Sequence, residues 1–210
     1  MALGIAARKD ERRKGNKFFS YFMWGIVLLV IIGFFFEAVV SFNPSGQGDT
    51  FRYSGLTFKQ TRQGFYAADL DGRLLEFVYK PEALSDIEVA PSIIDTVTAS
   101  RAVYITYGWN NTFMRDMALL QYEAGNILEA KYGVFVQPAF TGGNPLNVSA
   151  VSCENATEFV PVVLIQLANS TSISADSSHP GCIVLNVSSS VDLARAADRF
   201  KYALLKGNEK

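Results

Sequence analysis

Apolar and polar residues follow one another in three distinct patterns along the chain. The first is an uninterrupted run, Phe18 to Phe36, of 19 residues without a charge, in which Ser20 and Tyr21 are the clearly polar members. As a helix it spans about 28 Å, close to the hydrocarbon thickness of a bilayer. A buried core helix would not be apolar on every face over such a length. The run therefore predicts a transmembrane helix that extends to Val40, with Glu37 near one interface and Tyr21 and Trp24 in the headgroup region at the other. Gly25 and Gly33 fall on one face of it, the spacing of a small-residue dimer seam.

The second pattern is short runs broken by turn residues. Ser41 to Ser54 contains Asn43-Pro44-Ser45-Gly46-Gln47-Gly48-Asp49, linker chemistry with nothing to bury. Beyond it, Leu56–Thr61, Phe65–Leu70 and Arg73–Tyr79 read as a β-meander. Asp71-Gly72 forms the last turn, because a type I′ hairpin needs positive φ at both central positions. Pro81–Ser85 reads as a short helical turn, and Pro91–Ala99 stays open between helix and strand. Ala102–Tyr107, Val134–Gln137, Val160–Leu167 and Ile183–Val187 are strand-like, the third nearly continuous in apolar residues as a central strand is. Pro161 confines its neighbours to a strand start or an edge.

The third pattern has helical period. Phe113, Met117, Leu120, Ala124, Ile127 and Leu128 form one stripe of a helix predicted over Thr112 to Tyr132, with Asn111 as N-cap and Gly133 beyond its end. Leu193, Ala196, Ala197, Phe200 and Leu204 form the stripe of a last helix that ends near Leu205. Ser189 and Asp192 make its capping box and Gly207 closes it. A strand, a helix and a strand with short joints imply one parallel β-α-β crossover. The fold class is thus α/β (α+β): a mixed sheet carrying a meander, one crossover and a C-terminal helix. The expected organisation is a tail (1–17), an anchor (18–40), a stalk (41–54) and a folded domain (55–207).

Charge gives the anchor a direction. Residues 1–17 carry six basic and two acidic side chains, so +4, whereas the remaining residues carry thirteen basic and eighteen acidic ones, so −5. The positive-inside rule places the tail in the cytoplasm and the domain outside. The apolar run exceeds the usual length of a cleaved signal peptide, which favours an uncleaved signal anchor. A mildly acidic domain is a poor electrostatic partner for nucleic acid, so the expected partners are the lipid bilayer and an envelope protein or a second copy.

An outer domain changes how its cysteines and asparagines read. Cys153 and Cys182 are the two cysteines of the chain, and in an oxidising compartment a structural disulfide is their default. Its geometry depends on strand direction. If Val160–Leu167 and Ile183–Val187 pair antiparallel, Cys182 lies at the far end from Val160. If they pair parallel the cysteines approach, but the connection shows no helix for a crossover. Asn110, Asn147, Asn155 and Asn169 stand in Asn-x-Ser/Thr sequons as candidate glycan acceptors, and Asn186 stands in a fifth, inside a predicted strand.

Catalytic chemistry is thin. His179, the single histidine, lies in Ser177-Ser178-His179-Pro180-Gly181, where sequence neighbours do not make a triad. One histidine and two cysteines fall short of a zinc ligand set. Asp69 and Asp71 sit at the hairpin turn, and Glu154 and Glu158 bracket a surface segment. Thr141-Gly142-Gly143-Asn144-Pro145 lacks the lysine of a phosphate loop. Tyr104, Tyr107 and Trp109 suit a core as well as a groove. No catalytic, metal or cofactor-binding residue is assigned.

Cys153-Glu154-Asn155-Ala156-Thr157-Glu158-Phe159-Val160-Pro161-Val162 resembles a stretch of uncharacterised membrane-anchored proteins of small-genome archaea. The basic tail, the single anchor, Val136-Gln137-Pro138-Ala139 and the second cysteine resemble that group too. The resemblance implies an archaeal cell envelope and no particular activity. Three functions are compatible with the sequence: an anchored, non-catalytic binding or structural module; an extracytoplasmic enzyme, a hydrolase among the options, with a site assembled across the fold; and a pilin-like subunit, for which Lys14-Gly15 would be the cleavage site. A deep pocket with convergent polar groups would favour the enzyme, and an exposed apolar patch the binding module.

Overall fold

The computed structural model describes residues 48–207. The predicted tail, the anchor with its glycine seam and the first half of the stalk (41–47) lie outside the described residues. Among the described residues no helix is long and apolar enough to cross a membrane.

The compact unit begins at Gly48, and its first strand falls inside the predicted stalk. β1 (Thr50–Tyr53) and β2 (Leu56–Gln60) form a hairpin through Ser54-Gly55, both with positive φ. Phe51 and Tyr53 pack on the core, so residues 50–53 are sheet rather than linker. Gly48 lies against the carbonyl of Gln60, where a Cβ would come within 2.6 Å of the oxygen. β3 (Tyr66–Leu70) and β4 (Arg73–Phe77) complete an antiparallel meander in the order β1-β2-β3-β4. Asp71 (φ 53°) and Gly72 (φ 81°) make the predicted type I′ turn.

After a 3-10 turn at Pro81–Leu84 the chain forms α1 (Pro91–Thr98), β5 (Ala102–Tyr107), α2 (Met114–Tyr132) and β6 (Phe135–Phe140). The ambiguous segment at Pro91 is helical because Ile93, Ile94 and Val97 reach the core together. Helix α2 starts two residues later than its pattern implied. Asn111 does not cap it directly; its Oδ1 accepts from the Phe113 amide at 2.9 Å, and Phe113 is the N-cap. Strand β6 runs through Pro138 to Phe140. It is an edge strand, where the missing proline N–H faces no ladder.

β7 (Val162–Leu167), β8 (Ser172–Ala175) and β9 (Cys182–Val187) join β5 and β6 in a five-stranded sheet of order β6-β5-β7-β9-β8. All of its ladders are parallel except β8–β9. The described residues thus form two sheets, where the sequence implied one. The open question of β7 against β9 resolves as parallel, and strand β8 makes the crossover in place of a helix. α3 (Ser190–Lys206) closes the fold, with Ser189 Oγ accepting from the Asp192 amide at 3.1 Å.

Helices α2 and α3 contact both sheets: α2 touches β5, β6 and β4, and α3 touches β8 and β9 while reaching the meander through Tyr202. The Tyr202 ring lies 4.3 Å from Phe77, 4.9 Å from Tyr53 and 5.8 Å from Phe58, and Phe58 in turn stacks on Phe51 at 4.8 Å. The other face of the five-stranded sheet is covered by the 141–161 segment, whose Val151 and Cys153 pack with Ala139, Val162 and Cys182.

Removing the first strand should therefore expose this aromatic cluster. A chain truncated to residues 48–207 should unfold cooperatively. One truncated to 55–207 should lose more than about 3 kcal/mol, the scale of deleting one large aromatic from a core. Denaturant melts of the two compare them directly, and equal midpoints would return β1 to the status of a linker.

Candidate functional site

Helix α3 carries two buried stripes. Alongside the apolar one, Asp198, Lys201, Tyr202 and Leu205 follow the i, i+3, i+4, i+7 spacing of a second, and all four are buried. Two of them are charged. The Lys201 side chain is 3% exposed and that of Asp198 3%. Lys201 Nζ donates to the Glu76 carbonyl of β4 at 2.7 Å and to Glu123 Oε2 of α2 at 2.6 Å, and it lies 2.9 Å from Asp198 Oδ1. It also sits 4.3 Å above the Phe77 ring. Asp198 Oδ2 accepts from the amides of Val78 (2.7 Å) and Tyr79 (2.9 Å), just where β4 ends.

Burial pushes the Glu123 carboxyl above its usual range, against the opposing pull of Lys201. Burial likewise raises Asp198, opposed by Lys201 and then by the two amides. Burial, and secondarily the Asp198 charge, also raises the Tyr202 phenol, so it stays protonated and donates to the Tyr79 carbonyl at 2.9 Å.

A cavity of about 290 Å³ opens beside this cluster. Phe65, Val78, Leu119, Leu120, Leu193 and Ala197 give it apolar walls, and Glu76, Asp116 and Glu123 bring carboxylates to it. Leu119 is exposed at its edge; one helical turn on, exposed Tyr122 borders a second concavity shared with exposed Phe135 of β6. The result is an apolar strip along the solvent side of α2.

The residues that drew attention in the sequence lie elsewhere and do different work. Cys153 and Cys182 form a disulfide, with Cα atoms 5.2 Å apart. Parallel pairing sets Val162 opposite Cys182, which brings the 153–161 segment to the start of β9. His179 Nδ1 lies 2.9 Å from Asp176 Oδ2, not against Ser177 or Ser178, and this bond together with the Ser178 amide draws the Asp176 carboxyl below its usual range. Asp176 approaches both sulfurs, but their bond to one another leaves no thiolate for a metal. Asp69 accepts from the Gly72 amide at 3.1 Å, a turn role. Glu154 and Glu158 are exposed, and Asn144 closes the glycine loop through Leu146 and Val148. Tyr107 and Trp109 pack on Phe140, and Tyr104 joins the cluster around the disulfide, so all three are packing residues.

Asn110, Asn147, Asn155 and Asn169 are exposed. Asn186 is not free for a glycan. It lies within β9, its Nδ2 donates to Ser172 Oγ at 3.1 Å, and its Oδ1 accepts from Gln166 at 3.0 Å.

No family model matches the chain, and neither the curated proteins nor the solved structures contain a significant match.

Lys201 is the keystone of the cluster. Replacing it with methionine should cost about 3–5 kcal/mol, because two carboxylates would be left buried without a cation. The sign with pH follows from their direction of shift. A carboxyl whose folded pKa is raised supports the folded state below its ordinary pKa of about 4, and that support is lost as pH rises through the raised value. The loss in Lys201→Met should therefore be larger at pH 8 than at pH 5 in urea melts, and a pH-independent loss would mean that the carboxyls do not carry it.

Proposed function

We propose that this chain is a membrane-anchored, extracytoplasmic, non-catalytic binding module of an archaeal cell envelope. The observation that carries the reading is the Cys153–Cys182 disulfide, which uses both cysteines of the chain. Such bonds form and persist in oxidising compartments. The basic tail before an uncharged 19-residue run supports the same orientation, and four exposed sequons provide acceptors on that side.

Binding is favoured over catalysis by the chemistry of the cluster. The Lys201 ammonium holds three acceptors with its three protons, so it offers neither a lone pair for attack nor a donor for a reacting oxygen. The exposed strip of Leu119, Tyr122 and Phe135 has the character of a recognition surface. One observation favours the enzyme instead: Glu123 is a carboxyl with a raised pKa beside a cavity, the setting of a general acid. A ligand recovered chemically unchanged after long incubation argues for binding; a converted one argues for the enzyme.

A cytoplasm-only reporter fused before Met1 should be active, and the same reporter fused after Lys210 inactive; the reverse pattern overturns the orientation. Protein alkylated without reduction, straight from its native compartment, should show no modified cysteine by mass spectrometry. Replacing both cysteines with alanine should cost about 3.5 kcal/mol from the lost loop constraint. Intact mass should reveal glycan losses when Asn110, Asn147, Asn155 or Asn169 is changed to Gln, and none when Asn186 is changed.

A further inference from the structure

We propose that the cavity between β4, α2 and α3 binds a small organic cation, a protonated amine carried on a short apolar stem. The inference rests on the binding reading above and is independent of membrane topology.

Size comes first. About 290 Å³ lies at the lower end of ligand sites and suits a molecule of roughly a dozen heavy atoms rather than a folded partner. Its walls, among them Phe65, Leu119 and Leu193, accept an apolar stem.

The sign of the charge follows from which groups are already satisfied. Lys201 is the one basic side chain lining the cavity, against Glu76, Asp116, Glu123 and Asp198. Its three protons are taken by Glu76 O, Glu123 Oε2 and Asp198 Oδ1, so it presents no donor to an anion. Both oxygens of Asp198 have partners, Lys201 on Oδ1 and two backbone amides on Oδ2. Glu123 is not saturated. Its single hydrogen bond runs through Oε2, and Oε1 takes no donor from the protein although the side chain is only 13% exposed. Every fully buried side-chain N or O among the described residues has a partner, so Oε1 is an oxygen that solvent, or a ligand, reaches. Glu123 lines the apolar cavity together with the exposed Asp116 and Glu76, and a largely buried carboxylate oxygen without a protein donor there calls for a donor bearing positive charge. A neutral stem would leave that oxygen without a partner, and an anion would be repelled. Burial holds the Glu123 carboxyl up in the free protein; an ammonium at Oε1 would bring it back down.

The test compares three probes of one shape on the full chain in detergent: 2-phenylethylammonium, 2-phenylethanol and 3-phenylpropionate, each titrated by calorimetry. The ammonium should bind once per chain and at least about tenfold more tightly than either analogue, a tenfold step being what one charge-assisted contact readily supplies. Glu123→Gln should reduce the ammonium-to-alcohol preference to about twofold or less. Ala194→Trp, at a half-buried position on the cavity wall, should abolish binding of all three while the melting transition is retained. In protein labelled with ¹³C at carboxyl groups, the ammonium should lower the titration midpoint of Glu123. Equal affinity for the three probes, no binding at millimolar concentration, or binding that survives Ala194→Trp overturns the proposal. Each of those outcomes leaves the anchored-module reading standing, whereas a probe recovered chemically altered removes the non-catalytic reading and keeps the site.

Discussion

A buried lysine must find acceptors for all three of its protons, and Lys201 finds them on three different elements. Glu76 contributes a β4 carbonyl, Glu123 an α2 carboxylate and Asp198 a carboxylate from one turn back on α3 itself. Desolvating an ammonium costs several kcal/mol, and only good geometry with every partner present offsets it. The meander, α2 and α3 are therefore held in one relative placement: sliding any of them removes a partner from a buried charge. Asp198 extends the constraint by taking the amides of Val78 and Tyr79, which fixes where β4 stops and the chain leaves the sheet. Tyr202, next on the same stripe, fills the aromatic cluster that β1 and β2 complete. Apolar residues of similar volume would pack there too, but they would not fix direction.

The five-stranded sheet is organised by a different constraint. β7 and β9 are parallel, and parallel neighbours need a chain that returns to its starting end. Here β8 makes the return as an antiparallel outer strand, so the connection stays short and needs no helix. The same choice brings Val162 opposite Cys182, and with it the 153–161 segment and Cys153. With both helices on the side of the meander, the other face of the sheet has only the 141–161 segment for cover. That segment is tied down near its middle, by the Thr106 hydroxyl donating to the Val151 carbonyl at 2.9 Å and, two residues on, by the disulfide at Cys153. A stretch with so little regular structure is the one that gains most from a covalent tie.

What could be read from the sequence tracks whether a pattern was local and apolar. The Asp71-Gly72 turn, the α2 stripe and the Ala102–Tyr107 strand are each specified by neighbours in sequence, and they stand as expected. β8 was missed because Ser172-Ile173-Ser174-Ala175 carries one buried residue and no run. β1 is not legible in the sequence because Phe51 and Tyr53 follow a glycine-rich linker and Ser54-Gly55 is a weaker turn signal than Asp71-Gly72. The candidate site was missed for a deeper reason. A helix between two sheets buries two stripes, and the second on α3 begins Asp198-x-x-Lys201-Tyr202. Pattern reading assigns charged positions to solvent, and nothing in the sequence links Glu123 to them across 78 positions. The spacing of Asp198, Lys201, Tyr202 and Leu205 was the available signal.

The cavity arises from the same two-sided helix. Where α3 faces Leu119 and Leu120 of α2 it presents Ser190, Ala194 and Ala197, side chains too small to close the gap. Volume alone says little, since natural proteins do not sit at their stability optimum and one larger residue at Ala194 would fill the space. The chemistry of the inner wall carries more weight. A cluster built only to align three elements would be complete with Asp198 and a backbone carbonyl on the lysine and a neutral third acceptor. Glu123 instead brings a second carboxylate to the cavity lining, gives one oxygen to Lys201 and leaves the other without a protein donor. Burying that second carboxylate destabilises the free protein, as the raised pKa of Glu123 records: desolvation is its main cause, and the Asp198 and Glu76 charges add to it. A bound cation would remove the penalty, and so the feature least favourable to the isolated fold is the one that best defines what the cavity would hold.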